Sequence, residues 1–175
     1  MQRHSSFAVQ ASNPEDMHWL MSRAGYKPVM EYLGGTEIGG AFVGGTMLHP
    51  CIPSCFATPS LGFELFILGS DGSVLTSRDG AVVSLSEPDE GRDLLRGEVA
   101  VRMPAIGCSQ KLLNRDHYEE YFSGMPVVDG LPLRRHGDEL EELPGQGYLK
   151  AHGRCDDTMN LGGIKVQPAC IESPL

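Results

Sequence analysis

At 175 residues, with 41% hydrophobic and 21% charged content, the chain is long enough for a domain with a real core, and whole-chain disorder is excluded. Its formal charge of −9 argues against a nucleic-acid partner, because the densest basic cluster, Arg134, Arg135 and His136, runs straight into Asp138 and Glu139. No stretch approaches the roughly 18 apolar residues of a membrane helix.

The elements begin with a helix near Asn13. Asn13 suits the N-cap, Pro14 the first helical position, and Glu15 and Asp16 the positive end of the helix dipole. Met17, Leu20, Met21 and Ala24 form an apolar stripe, and Gly25 is the expected stop. Pro28 to Leu33 reads as a short strand entering the turn Gly34-Gly35-Thr36-Glu37. A second glycine-rich piece, Gly39-Gly40 and Gly44-Gly45, brackets Ala41-Phe42-Val43.

From Phe63 the pattern becomes β. Phe63 to Leu68 is an apolar run, and Asp71-Gly72 and Asp79-Gly80 are hairpin signals. Glu98 to Arg102 alternates as a half-buried strand does. Asn114 is placed to cap a short helix through Phe122, and Leu131 to Arg135 and Gly147 to Ala151 read as further strands. With glycine (22) and proline (12) frequent, the expected class is α/β and β-rich. Pro168 to Glu172 reads as the first turn of a helix that the chain does not continue, so a piece of a longer protein is expected.

The N-terminus, Met1 to Ser6, lacks an apolar signal core, and the five cysteines have no disulfide-framework spacing. Both point to an intracellular, reducing setting, cytoplasmic or peroxisomal/organellar. His49, Cys51 and Cys55 are either a weak metal set or, the preferred reading, free thiols beside a histidine.

Three polar clusters stand at turns between apolar runs. In Gly34-Gly35-Thr36-Glu37, small residues admit close backbone approach, a hydroxyl can meet a phosphate oxygen, and a carboxylate can hold Mg²⁺; a plain structural loop is the alternative. In Arg135-His136-Gly137-Asp138, the aspartate is either a turn residue or an acceptor for a pair of hydroxyls. The third, Gly153-Arg154-Cys155-Asp156-Asp157 and Asn160 to Lys165, is either a salt-bridged hairpin or a functional loop.

In this order and spacing the clusters resemble the motifs of the adenylate-forming ligases, the superfamily of acyl-CoA synthetases, luciferases and peptide-synthetase adenylation domains. Gly34 to Glu37 is similar to the Gly-x-Thr-Glu motif, Gly97-Glu98-Val99 to the Gly-Glu-Leu strand, and His136-Gly137-Asp138 to Thr-Gly-Asp with histidine in the threonine place. Gly153 to Lys165, then Ile171-Glu172, resembles the hinge motif and the helix after it. The wording Tyr32 to Gly40, His117-Tyr118, Tyr121 to Pro126 and Asp157 to Val166 is similar to plant-type acyl-activating enzymes related to acetyl-CoA synthetase.

The resemblance implies an AMP-forming acid–thiol ligase: a carboxylic acid is activated with ATP to an acyl-adenylate, and CoA then displaces AMP. It implies residues 1–152 as the end of the AMP-binding large domain and 153–175 as the hinge and start of the small domain. Thr36 would contact the α-phosphate, with Gly34 and Gly35 beside it, and Glu37 would hold Mg²⁺. Asp138 would bind the ribose hydroxyls with Arg154 behind it. Asp156 would be the hinge, and Gly163 and Lys165 would serve the CoA step. Leu33 stands where many relatives carry an aromatic that stacks on adenine, leaving Tyr32 as the substitute. No Ser/Thr/Gly-rich phosphate loop ending in lysine occurs, so this chain alone is expected to be inactive or slow. The alternatives are a non-catalytic adenylate-binding or interaction module and a truncated copy without function.

Overall fold

A computed structural model describes residues 12–27, 29–79, 95–143, 147–155, 159–161 and 164–166. In chain order these hold α1 (Pro14–Arg23), β1 (Tyr32–Gly35), β2 (Gly40–Gly44), β3 (Cys55–Phe56), β4 (Thr58–Pro59), β5 (Glu64–Leu68), β6 (Val74–Asp79) and β7 (Leu95–Val101). They continue with α2 (His117–Tyr121), β8 (Val127–Val128), β9 (Leu131–Pro132), β10 (Arg134–Glu142), β11 (Leu149–Arg154), β12 (Met159–Leu161) and β13 (Ile164–Val166). The mixed, strand-rich class expected from the glycine and proline content is the class observed.

The frame is a six-stranded antiparallel sheet ordered β3-β11-β10-β7-β5-β6. Side chains alternate across a strand, and here both faces of the central strands are covered. Leu65 and Ile67 of β5 join Val99 and Val101 of β7 in one cluster, with Leu33, Phe42 and Val43 from the three-stranded sheet β1-β2-β4. Phe66, Leu68 and Ala100 point the other way and pack with Met125 and Leu133. This explains the unbroken apolar run in β5, and it corrects one expectation: β7 is not half-buried, because Val99, Ala100 and Val101 are all fully enclosed.

Gly97 allows the closest strand approach, since a Cβ there would lie 1.8 Å from the Leu68 carbonyl oxygen. Outward-facing charges pair across the same sheet, Arg96 with Glu139 at 2.8 Å and Arg135 with Glu98 at 3.3 Å.

Helix α1 starts as its sequence predicts, with the Asn13 side chain accepting from the Glu15 N–H. It stops at Gly25 (φ +69°), where the Tyr26 N–H donates to the Met21 carbonyl and closes the last turn. Its apolar stripe is mostly not core: Met17 is buried, but Leu20 is 47% exposed.

Other boundaries shift. The first strand begins at Tyr32, four residues into the expected run, and Pro28 lies outside the described residues. Asp116, not Asn114, caps α2, its carboxylate accepting from the Glu119 N–H. The expected Leu131–Arg135 strand is two: β9 closes a hairpin on β8 through Asp129-Gly130, and β10 then starts at Arg134. Asp129 and Gly130 both have positive φ (50° and 79°), the geometry such two-residue turns require. Asp71-Gly72 turns β5 into β6 as expected, whereas the Asp79-Gly80 turn and the Pro168–Glu172 helix lie outside the described residues.

Candidate active site

Two pieces of structure carry the residues singled out by sequence. The first is the turn between β1 and β2. Gly34 pairs with Ala41 so closely that a Cβ would meet the Gly40 carbonyl oxygen at 1.9 Å; this glycine serves strand pairing first. Gly35 is small for another reason. A Cβ there would lie 2.8 Å from a Glu37 carboxylate oxygen, so the carboxylate folds back over Gly35.

The turn is tied by the Ile38 and Gly39 N–H groups donating to the Gly35 carbonyl. It leaves Thr36 exposed and Glu37 half-buried. Leu33 is only 3% exposed within the core, while its neighbour Tyr32 is 52% exposed. Strand alternation therefore turns Tyr32, not Leu33, outward.

The second piece is a buried polar corner on β10 and β11, whose register sets Asp138 opposite Arg154. Asp138 is fully buried, and it sits inside a strand at a β-bulge, which overturns its reading as a turn residue. Arg154 Nη1 donates to Asp138 Oδ1 at 3.1 Å and to the His136 carbonyl oxygen at 2.9 Å. Gly137 (φ +84°) makes room for that guanidinium: a Cβ would lie 2.5 Å from Arg154 Nη2.

On the other side of the carboxylate, His136 Nε2 lies 2.7 Å from Asp138 Oδ2, off the alignment of a good hydrogen bond. The His136 ring meets Phe42 edge-on, 4.3 Å between centroids. That contact joins the buried corner to β2, and so to the Thr36–Glu37 turn.

The basic cluster noted in sequence is thus three different things. Arg134 is fully buried with its guanidinium 3.8 Å from the Tyr121 ring centroid, Arg135 is in a surface ion pair, and His136 belongs to the corner. Sequence reasoning missed Arg134, although Arg134, His136 and Asp138 already stood at alternate positions of a strand pattern.

On the outward face, Asp71, Arg96, Glu98, Arg135 and Cys155 line an open cleft. Burial, and then the carboxylates of Glu98, Glu139 and Asp138, push the Cys155 thiol up to about 12. Cys51 and Cys55 are free thiols, both raised chiefly by burial. Among the described residues no three His, Cys, Asp or Glu side chains are grouped to hold a metal ion, and no helix is long and apolar enough to cross a membrane. Asp156 and Gly163 lie outside the described residues. Lys165 stands in β13, paired with Asn160 of β12.

No family model matches the chain. It is 47% identical over 163 residues to the peroxisomal acyl-activating enzyme 17 of Arabidopsis thaliana, covering 93% of this chain and 20% of the relative. It is 44% identical over 167 residues to hexanoyl-CoA synthase of Cannabis sativa, covering 95% of this chain and 21% of that protein. The chain therefore spans about a fifth of the length of these relatives. Among solved structures, the anthranilate CoA ligase AuaEII in complex with anthranoyl-AMP matches with a TM-score of 0.61 and 20% identity, over 95% of this chain and 27% of that one. The order of its motifs, its fold and these likenesses together make this chain a member of the adenylate-forming superfamily, on the side of the plant-type acyl-activating enzymes.

Proposed function

We propose that this chain supplies the nucleotide-binding edge of an AMP-forming acyl-CoA ligase, which joins a carboxylic acid to CoA through an acyl-adenylate. The observation that carries this reading is Asp138. A fully buried carboxylate costs several kcal/mol unless its partners are arranged for it, and here Oδ2 makes no aligned hydrogen bond among the described residues. A ribose diol offers the two donors that such a carboxylate accepts. To reach it the hydroxyls take the place of Arg154 or His136, which now close it on either side.

In this reading Tyr32 packs beside the base, and the exposed Thr36 hydroxyl meets the α-phosphate. Glu37, with phosphate oxygens, holds Mg²⁺, a hard cation commonly held by one or two carboxylates and substrate phosphates. The metal would offset charge that grows on the phosphate as the acid attacks. Gly34 and Gly35 keep the turn low enough for that approach. Residues 1–152 act as the end of the large domain, and 153–175 as the hinge and the start of the small one. Asp156 is the hinge whose backbone rotation turns the small domain, and Gly163 and Lys165 then face the pantetheine of CoA. The acid is a small carboxylic acid, and the setting is the cytoplasm or the peroxisome, the latter supported by the name of the Arabidopsis thaliana relative.

The test is titration of the chain with AMP, followed by calorimetry or amide chemical shifts. Binding in the micromolar to millimolar range, lost in Asp138→Asn and with shifts centred on β10 and the Thr36–Glu37 turn, is expected. An Asp138→Asn chain that binds AMP as the parent does would overturn the ribose assignment. The second reading, a binding module without chemistry of its own, is separated by ATP–pyrophosphate exchange in the full-length polypeptide, because the chain alone is expected to be inactive under either reading.

A further inference from the structure

The Thr36–Glu37 turn does not stand on its own contacts. It leans on the loop Ala105 to Ser109, and the approach is close enough that both sides need glycine. A Cβ on Gly39 would lie 2.8 Å from the Gly107 carbonyl oxygen, and one on Gly107 would lie 2.4 Å from that of Ile38. At the end of this loop, Ser109 uses three polar groups on three different elements. Its N–H donates to the Glu37 carbonyl oxygen at 2.7 Å. Its own carbonyl accepts from His117 Nε2 of α2 at 2.8 Å, which assigns the proton to Nε2 because a carbonyl cannot donate. Its hydroxyl accepts from Arg134 Nη2 of β10 at 3.4 Å.

We infer that Ser109, held by His117 and Arg134, is the positioning residue that fixes Glu37 for its metal, an inference that rests on the Glu37 role proposed above. Two features support it. His117 is itself wedged, its ring 5.2 Å from Tyr121 and 5.6 Å from Phe122, so its N–H has little freedom to aim elsewhere. Arg134 is a fully buried cation, and packing alone is served at lower cost by an apolar side chain of its volume. Its charge is accounted for by where it acts. Its guanidinium stacks on the Tyr121 ring and reaches the Ser109 hydroxyl, at the end of the loop that bonds the Glu37 carbonyl. The brace also joins Glu37 to the strand that carries Asp138. A shift of α2 or β10 is thereby transmitted to the metal-holding turn.

The experiment compares His117→Ala with His117→Gln, whose amide N–H can replace the Nε2 donor. Amide hydrogen exchange at Ser109, Ile38 and Gly39 is read without ligand, and Mn²⁺ affinity in the presence of ATP is read from the spin resonance of free Mn²⁺. His117→Ala should speed exchange at these amides about tenfold while Phe66 and Val99 keep their protection. It should weaken Mn²⁺ about fivefold, and His117→Gln should restore both. Unchanged exchange at Ser109, failure of glutamine to rescue, or a loosened turn with unaltered Mn²⁺ affinity each overturn the inference. Should Glu37→Gln bind Mn²⁺ as the parent does, the metal role of Glu37 fails by itself. The brace is then decided by the exchange rates and their rescue. If His117→Ala unfolds the chain, Ser109→Ala, which deletes only the hydroxyl acceptor, decides: exchange about two- to threefold faster at Ile38 and Gly39 supports the inference, and none overturns it.

Discussion

The two halves of the candidate site are built in opposite ways. The corner at Asp138 lies in the middle of the six-stranded sheet, where strand register alone sets Arg154 across from the carboxylate. The turn at Thr36–Glu37 hangs from a small three-stranded sheet, and loop-to-loop backbone bonds hold it. The Asp138 half is thus built into the fold's core, whereas the Thr36–Glu37 half depends on a few contacts that can loosen without unfolding anything. In such a site the first half should show mutations as stability and the second should show them as affinity.

The largest effect should come from Asp138→Ala. Removing this carboxylate leaves Arg154 and His136 beside an empty buried position, and breaking such a pair from one side costs roughly 3–5 kcal/mol. Denaturant unfolding measures it, and a loss below about 1 kcal/mol would place the corner outside the cooperative core.

Paired glycine substitutions sharpen the contrast. Gly97→Ala and Gly34→Ala meet similar obstructions, 1.8 Å from the Leu68 oxygen and 1.9 Å from the Gly40 oxygen. Overpacking of this kind costs about 1–3 kcal/mol or more. We expect Gly97→Ala to lower the midpoint of the whole transition. Gly34→Ala should instead open β1 and β2 locally, with faster exchange there and protection kept at Val99.

Glu37→Gln comes next, with stability changed by less than about 0.5 kcal/mol, because the residue is half-exposed on a turn. The divalent-ion dependence of nucleotide binding should disappear. A stability loss as large as that of Asp138→Ala would erase the distinction between the halves.

The smallest effects lie on the outward face. The Arg96 hydrogen bond holds the Glu139 carboxyl below its usual range. A lowered folded-state value stabilises above the unfolded carboxyl's pKa and is lost as pH falls through the folded one. Glu139→Gln should therefore lower stability slightly at neutral pH, and its difference from the parent should vanish as pH falls below about 4.5. At the cleft edge, the Cys155 thiol at about 12 should alkylate far more slowly at pH 8 than an ordinary thiol, as tryptic mapping of a timed iodoacetamide reaction would show.

Much of this molecule was legible in one dimension wherever a residue's effect is local. Asn13-Pro14 capped α1, Gly25 ended it, and Asp71-Gly72 turned β5 into β6, because capping and turn chemistry act over a few residues. The order of the motifs named the superfamily for the same reason, since it is a property of the chain and not of its packing. What tertiary structure alone decided concerns neighbours far apart in sequence. The alternation in Glu98 to Arg102 could not reveal that β7 is covered on both faces, because the covering layers come from β2 and from Met125 and Leu133. Asp138 read as a turn residue until β11 paired beside it, and Arg134 read only as one member of a basic cluster until α2 folded over it. Burial depends on what arrives from elsewhere in the chain, and local pattern carries no record of that arrival.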